Sequence, residues 1–301
     1  MAKFLELYPN QGVDNRPTGQ DWMMVPAGKD NHVRLVDGAG FSVRDADPKK
    51  RITVSELKSG DRVILLKGDA ATFSKDRLFR VRGLSAGPAQ MIAKKGSDEV
   101  KIEVSVKKSK LFTVAYFFVQ DAGAKSTRST YTAADTDTWI KGLNDVFGPQ
   151  ANLWFSKIKE KDGVFVLPVP QMPEIIGPEA AKTLNAAATE LKLSKSGDIR
   201  IFLAGAKITS QDSAHASHVN GFYHVEQKII LMKDRAPDKR NPNPMLQTMA
   251  HEIGHFLNYN HGPGEGHDFY RRVGYASDIL NSMDGSDIKI PKQRVLNWNG
   301  S

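Results

Sequence analysis

The sequence predicts an α+β molecule in two domains, an all-β sandwich over residues 1–107 and a domain of mixed twisted sheet and helices over residues 111–301. Three observations predict it. Short apolar runs at alternating spacing, broken by Gly, Asp and Lys turns, fill the chain as far as Val106. A continuous apolar run, Leu111–Val119, follows a lysine-rich break at Lys107–Lys110. Apolar residues then recur at helical spacing in three later segments, the last of which carries paired histidines.

The strand candidates of the first domain are Val33–Val36, Asp61–Leu66, Leu78–Val81, Ala89–Ala93 and Val100–Val104. Alternation with a period of two turns one side chain in two toward a core, and regular turns between such strands suit a sandwich. The segment Leu78–Val106, LFRVRGLSAGPAQMIAKKGSDEVKIEVSV, resembles the last strands of bacterial Ig-like domains. In that resemblance Gly83 and Gly87 bracket the turn between two strands, and an alternating strand closes the sheet.

In the second domain the unbroken run Leu111–Val119 predicts a central strand covered on both faces. Thr132 and Asp135 form a capping box, after which Trp139, Ile140, Leu143, Val146 and Phe147 share a helical face. Gly148-Pro149 is expected to end that helix. Trp154-Phe155 begins the next strand. Pro178 opens an alanine-rich helix to about Leu191, Asp198–Leu203 is a strand, and Gly221–Met232 is a strand or a tight pair. Asn243 caps a last helix with Pro244 in its first turn and Met245, Leu246, Met249, Ile253 and Phe256 as its core stripe.

That last helix carries the chemistry. His251-Glu252-Ile253-Gly254-His255 is an HExxH pattern. Four-residue spacing puts both imidazoles on one helical face, one turn apart, where they can ligate a single zinc ion. Glu252 is offset from the ligand face and suits a general base. His261 supplies a third nitrogen and leaves the fourth position of a tetrahedral zinc for water. A straight helix would carry His261 roughly 80° around the axis from His251 and about 9 Å past His255. The chain must therefore leave the helix between them. Asn258, tolerant of the left-handed conformation, is the helix-ending turn, and Gly262-Pro263-Gly264 follows.

With Asn258 in place of a glycine, this stretch resembles the HExxHxxGxxH signature of the metzincin clan of zinc peptidases. The resemblance implies a methionine turn at Met283, 22 residues after His261, as an apolar floor beneath the ligands. Several members carry a tyrosine two residues later that assists the transition state. Here that position is Gly285, which leaves Tyr275 or Tyr259 as stand-ins. The resemblance further implies one catalytic Zn2+ and a protein or peptide substrate held as an extended strand against the Gly221–Met232 edge. A second, structural metal would fall to Asp212, His215, His218 and His224, although their spacing matches no metal pattern and exposed loop histidines account for them better. Asp268 beside His267 is an alternative ligand, a second-layer partner or a surface turn.

Composition narrows the rest. Seven of the eight histidines lie between His215 and His267, so metal chemistry concentrates in the second domain. The chain has no cysteine, which excludes disulfides and thiolate ligands. A net charge of +8 is spread over scattered lysines and short pairs rather than one basic-aromatic face, which argues against nucleic acid and for some affinity for acidic surfaces. No apolar run reaches the length of a membrane-spanning helix, and the first residues hold no apolar signal core. The expectation is therefore a zinc endopeptidase, secreted or delivered by a route other than the Sec pathway. A surface-binding protein with a zinc-braced second domain and a zinc amidase acting on cell-wall peptides are the alternatives.

Overall fold

A computed structural model describes residues 1–6, 13–14, 22–58, 76–121, 129–169, 175–193, 197–205, 207–209, 218–236, 243–257, 270–271 and 288–289. The chain divides into two compact units. The first holds Met1–Lys110, Phe147–Asn152 and Lys289–Ser301; the second holds Leu111–Val146 and Leu153–Ile288.

The first unit is built from β1 (Lys3–Glu6), β2 (Val13–Asp14), β3 (Trp22–Pro26), β4 (Asp30–Val36), β5 (Ser42–Asp45), β6 (Ile52–Glu56), β7 (Arg77–Gly83), β8 (Gly87–Lys95) and β9 (Asp98–Lys107). One sheet runs β1-β4-β7-β6 and the other β2-β3-β9-β8-β5. All pairings are antiparallel except β3 with β9. Alternation does the work predicted for it: along β4, Asn31, Val33 and Leu35 are buried while the residues between them are not. Phe4, Val33, Leu35, Ile52, Phe79 and Val81 of one sheet share a core with Met23, Val25, Met91, Ala93, Ile102, Val104 and Val106 of the other. Face-to-face packing of this kind makes a β-sandwich. Arg77 pins the 38–41 turn to it. Its guanidinium holds Glu56 bidentately at 2.6 and 2.5 Å and donates to the carbonyls of Gly38 and Phe41. Asp61–Leu66, read as a strand from the sequence, lies outside the described residues.

The second unit is organised by β10 (Lys110–Asp121), whose residues Val114 to Val119 are all buried. Helix α1 (Ala133–Ala151), β11 (Leu153–Lys157), β12 (Val164–Val169), β13 (Ile175–Ile176), α2 (Pro178–Glu190), β14 (Ile199–Ala204), β15 (Lys207–Thr209), β16 (His218–Val219), β17 (Gly221–His224), β18 (Ile229–Lys233) and α3 (Pro244–Phe256) follow. The main sheet runs β11-β10-β14-β18-β17, with β12 also beside β10. Strand β10 is parallel to β12 and β14, and β14 to β18; the middle of β10 and most of β14 and β18 are buried, whereas β12 alternates and leaves Val166 exposed. Strand β17 turns back antiparallel to β18 and ends the sheet.

On one face Ala115, Phe117, Phe165, Phe202 and Leu231 pack with Ala181, Leu184 and Ala188 of α2. Phe117 stacks on Phe202 at 4.7 Å and on Phe165 at 5.3 Å. On the other, the Tyr116 ring meets Trp139 of α1, and its hydroxyl reaches Met249 Sδ of α3 at 3.6 Å. Helices α1 and α3 approach each other at Gly142, where a Cβ would fall 2.4 Å from Leu246 Cδ2. Asp135 accepts from the Thr132 backbone N–H at 2.8 Å and so closes the start of α1. The helix does not stop at Gly148-Pro149 but runs to Ala151.

The α+β expectation, with its metzincin-like second half, is corrected by this architecture. The described residues hold twenty strands against three α-helices, so the molecule is dominated by β-structure. The reason is local. Strands of two or three residues such as β13, β15 and β16 show no periodicity, while helices announce themselves, so the sequence understates the share of strand.

Candidate functional site

Helix α3 begins where local chemistry places it. Asn243 Oδ1 accepts the Leu246 N–H at 3.1 Å, satisfying one of the free donors of the first turn, and Pro244 needs no partner there. Met245, Leu246, Met249, Ala250 and Ile253 are buried in the core. That fixes the rotation of the helix and leaves Thr248, His251, Glu252 and His255, spaced i, i+3, i+4 and i+7, on a second stripe.

The two histidines come together on that stripe. Their Nε2 atoms are 3.2 Å apart and the rings stand edge to face at 88°. Two nitrogens on a tetrahedral zinc at about 2.0–2.1 Å each lie about 3.3 Å apart. The separation matches that of two ligands on one zinc ion and equally that of a hydrogen bond between the two rings. Burial lowers the pKa of His255, which favours the neutral imidazole a metal requires.

Glu252 is 4% exposed. Burial pushes its carboxyl up to about 8, against the pull of a hydrogen bond from the Tyr223 backbone N–H. Strand β17 supplies that N–H, and β17 also supplies the wall beside it. A Cβ on Gly221 would lie 3.0 Å from Thr248 Cγ2, 3.1 Å from the Leu231 carbonyl oxygen and 3.3 Å from Glu252 Cγ. The strand can approach the helix this closely only because that position has no side chain. The Tyr223 ring then packs edge-on against Phe256 at 6.0 Å. The sequence reading placed Gly221 and Tyr223 on a substrate edge but missed their contact with Glu252, and it missed Thr248. Strand β17 reaches Glu252 by packing on α3, while Thr248 stands one turn before it on the same helix.

The other expected site residues divide as follows. His261, Asn258, Met283, Tyr259, Tyr275 and Asp268 lie outside the described residues, as do Asp212 and His215. His218 sits on β16, and His224 is buried at the end of β17, where its Nδ1 accepts the Gln227 N–H at 3.4 Å. Among the described residues no group of three His, Cys, Asp or Glu side chains is placed to hold a metal ion. Nor, among them, is any helix long and apolar enough to cross a membrane.

No family model matches the chain, and no curated protein matches it. Among solved structures it is similar to domains 4 and 5 of the S-layer protein SbsC, at 20% identity and a TM-score of 0.22, over 31% of this chain and 49% of that one. A longer SbsC fragment, domains 4–9, gives 15% identity and a TM-score of 0.24 over 40% of this chain and 20% of that one. The I67–I69 fragment of titin gives 9% identity and a TM-score of 0.20 over 41% and 39%. The chain therefore spans about half or less of the length of these structures, and likenesses this weak carry no argument about fold or function. One expectation is overturned by the missing family match and by the absence of a three-ligand cluster among the described residues: membership of the metzincin clan is corrected. The physical reason is that the resemblance rested on one short motif with Asn258 and Gly285 at departing positions. Two histidines one helical turn apart are a local property, compatible with many folds.

Proposed function

We propose that the second unit is a zinc-dependent hydrolase of peptide or related amide bonds. The observation that carries this reading is the pairing of His251 and His255 Nε2 at 3.2 Å beside a buried Glu252. His251 and His255 hold the ion, with His261 as the third ligand implied by the motif. A zinc ion bound there would supply Lewis-acid chemistry and a charge that favours ionised Glu252. Glu252 then takes the proton of the attacking water and returns it to the departing amine. The Tyr223 N–H fixes the orientation of the carboxylate for both transfers, and the wall at Gly221 prevents its retreat. Strand β17 ends the sheet order, so an extended peptide can add along it by backbone hydrogen bonds. Action outside the producing cell, on protein or on cell-wall peptides, belongs to the same proposal.

The test combines elemental mass spectrometry with hydrolysis of a mixed peptide library. Wild type should carry about one zinc per chain, and His255→Ala should lose it. Glu252→Gln should keep the zinc and lose at least about a hundredfold in rate. A fall of less than tenfold in Glu252→Gln removes the assigned base. Absence of zinc from wild type after zinc is supplied removes the reading altogether and leaves a binding protein in its place.

A further inference from the structure

We propose that Arg235 is the specificity-determining residue of this site and selects substrates that carry a carboxylate near the scissile bond. The inference rests on the zinc-hydrolase reading above and adds a substrate class to it. Arg235 follows the end of β18, where the main chain is fixed on both sides. The Lys233 N–H donates to the Asn220 carbonyl at 2.9 Å and the Asp234 N–H to the Ala204 carbonyl at 3.0 Å. The Tyr131 hydroxyl donates to the carbonyl of Arg235 itself. The adjacent carboxylate, Asp234, is occupied elsewhere. It accepts from Ser129 Oγ at 3.0 Å, from Thr130 Oγ1 at 2.9 Å and from the Thr130 N–H.

The guanidinium meanwhile reaches the helix that holds the site. Arg235 Nη1 donates to Thr248 Oγ1 at 3.3 Å, and that hydroxyl in turn donates to the Pro244 carbonyl at 2.9 Å. Thr248 stands one turn before His251 and Glu252 on the same stripe, and its methyl and Glu252 Cγ border the same spot at Gly221. The positive charge therefore sits at one end of the row of site residues. Among the described residues no carboxylate lies within ion-pair distance of Arg235.

A guanidinium carries five donors in a planar fork, and a threonine hydroxyl takes only one of them. Half-buried and held on a fixed backbone, the remaining fork matches a carboxylate bidentately. The plainer account makes Arg235 a tether between the strand end and α3. That account gives no role to the rest of the fork and predicts no ligand preference. The two therefore differ in a measurable quantity.

The experiment uses the zinc-loaded full chain and calorimetric titration with acetohydroxamate and with the monohydroxamates of succinic, glutaric and adipic acid. All four chelate zinc, and the last three add a carboxylate at increasing reach. At least one diacid derivative should bind wild type about tenfold tighter than acetohydroxamate. Arg235→Gln should bring that ratio within twofold while the affinity for acetohydroxamate stays unchanged. Arg235→Lys keeps the charge without the fork and should recover part of the preference. Equal affinities across the series in wild type, or a preference that survives in Arg235→Gln with an unchanged melting temperature, overturns the proposal. Failure of every hydroxamate to bind overturns the zinc reading and this inference with it. Two peptides, one with an internal Glu and an amidated end and one neutral with a free end, then show whether the carboxylate is a side chain or a chain terminus.

Discussion

At the scale of single residues the decisive group is Glu252. A carboxyl 4% exposed beneath a strand, with its pKa near 8, is held at an energetic cost. Its surroundings explain how the position is enforced: the Tyr223 N–H points at it and Gly221 leaves room for it and no more. Gly221→Ala puts a methyl 3.0 Å from Thr248 Cγ2 and 3.1 Å from a backbone oxygen that cannot swing away. We expect a loss of about 1–3 kcal/mol of stability in urea unfolding. The surviving folded protein should show a lower kcat at unchanged zinc content. A variant as stable and as active as wild type would mean that β17 does not press on the helix. The paired histidines were legible because their spacing is a property of one helix. The contact of Gly221 and Tyr223 with Glu252 was not, because only tertiary packing brings β17 to α3.

At the scale of elements, α3 combines a cap, a core stripe and a site stripe. Its cap is local and testable. Asn243→Ala removes the acceptor for the Leu246 N–H and should cost about 1 kcal/mol, read as a lower melting temperature, with Asn243→Asp close to wild type. Equal loss in both variants would assign the effect to the buried amide rather than to the cap. The helices and the central strand could be placed from the sequence because each contains its own signal. Asn243-Pro244 starts α3, Thr132 and Asp135 start α1, and Leu111–Val119 has no polar residue beyond Thr113. The end of α1 was misplaced for the converse reason. Gly148-Pro149 is a strong local stop, but the helix persists to Ala151.

At the scale of the whole molecule, charge and ligand linkage make two predictions. The side-chain hydrogen bond from Arg77, aided by its charge, lowers the pKa of Glu56 from 4.5 in the folded chain. A lowered carboxylate stabilises the fold above its unfolded pKa, and the contribution disappears as pH falls through the lower folded value. Glu56→Gln should therefore flatten the loss of stability on acidification below about pH 4.5, followed by thermal unfolding across pH. An unchanged acid limb would show the pair to be an idle surface contact. The second prediction follows from mass action. Zinc at a hundred times its dissociation constant should stabilise the second unit by about 2.7 kcal/mol, seen in calorimetry as a transition that moves with zinc in wild type but not in His255→Ala.

The sequence by itself determined the β-rich first unit, the unbroken central strand, the start of each helix and the helical pairing of His251 with His255. Each of these depends on residues a few positions apart, within reach of period, cap or turn chemistry. Only the tertiary structure decided the overall balance toward β-structure, the parallel order β10-β14-β18 with its antiparallel edge, and the surroundings of Glu252. Those depend on which strands lie side by side. A strand of two to four residues, like β17, carries too little pattern to announce its place, yet its Tyr223 N–H and its bare Gly221 form the wall against Glu252.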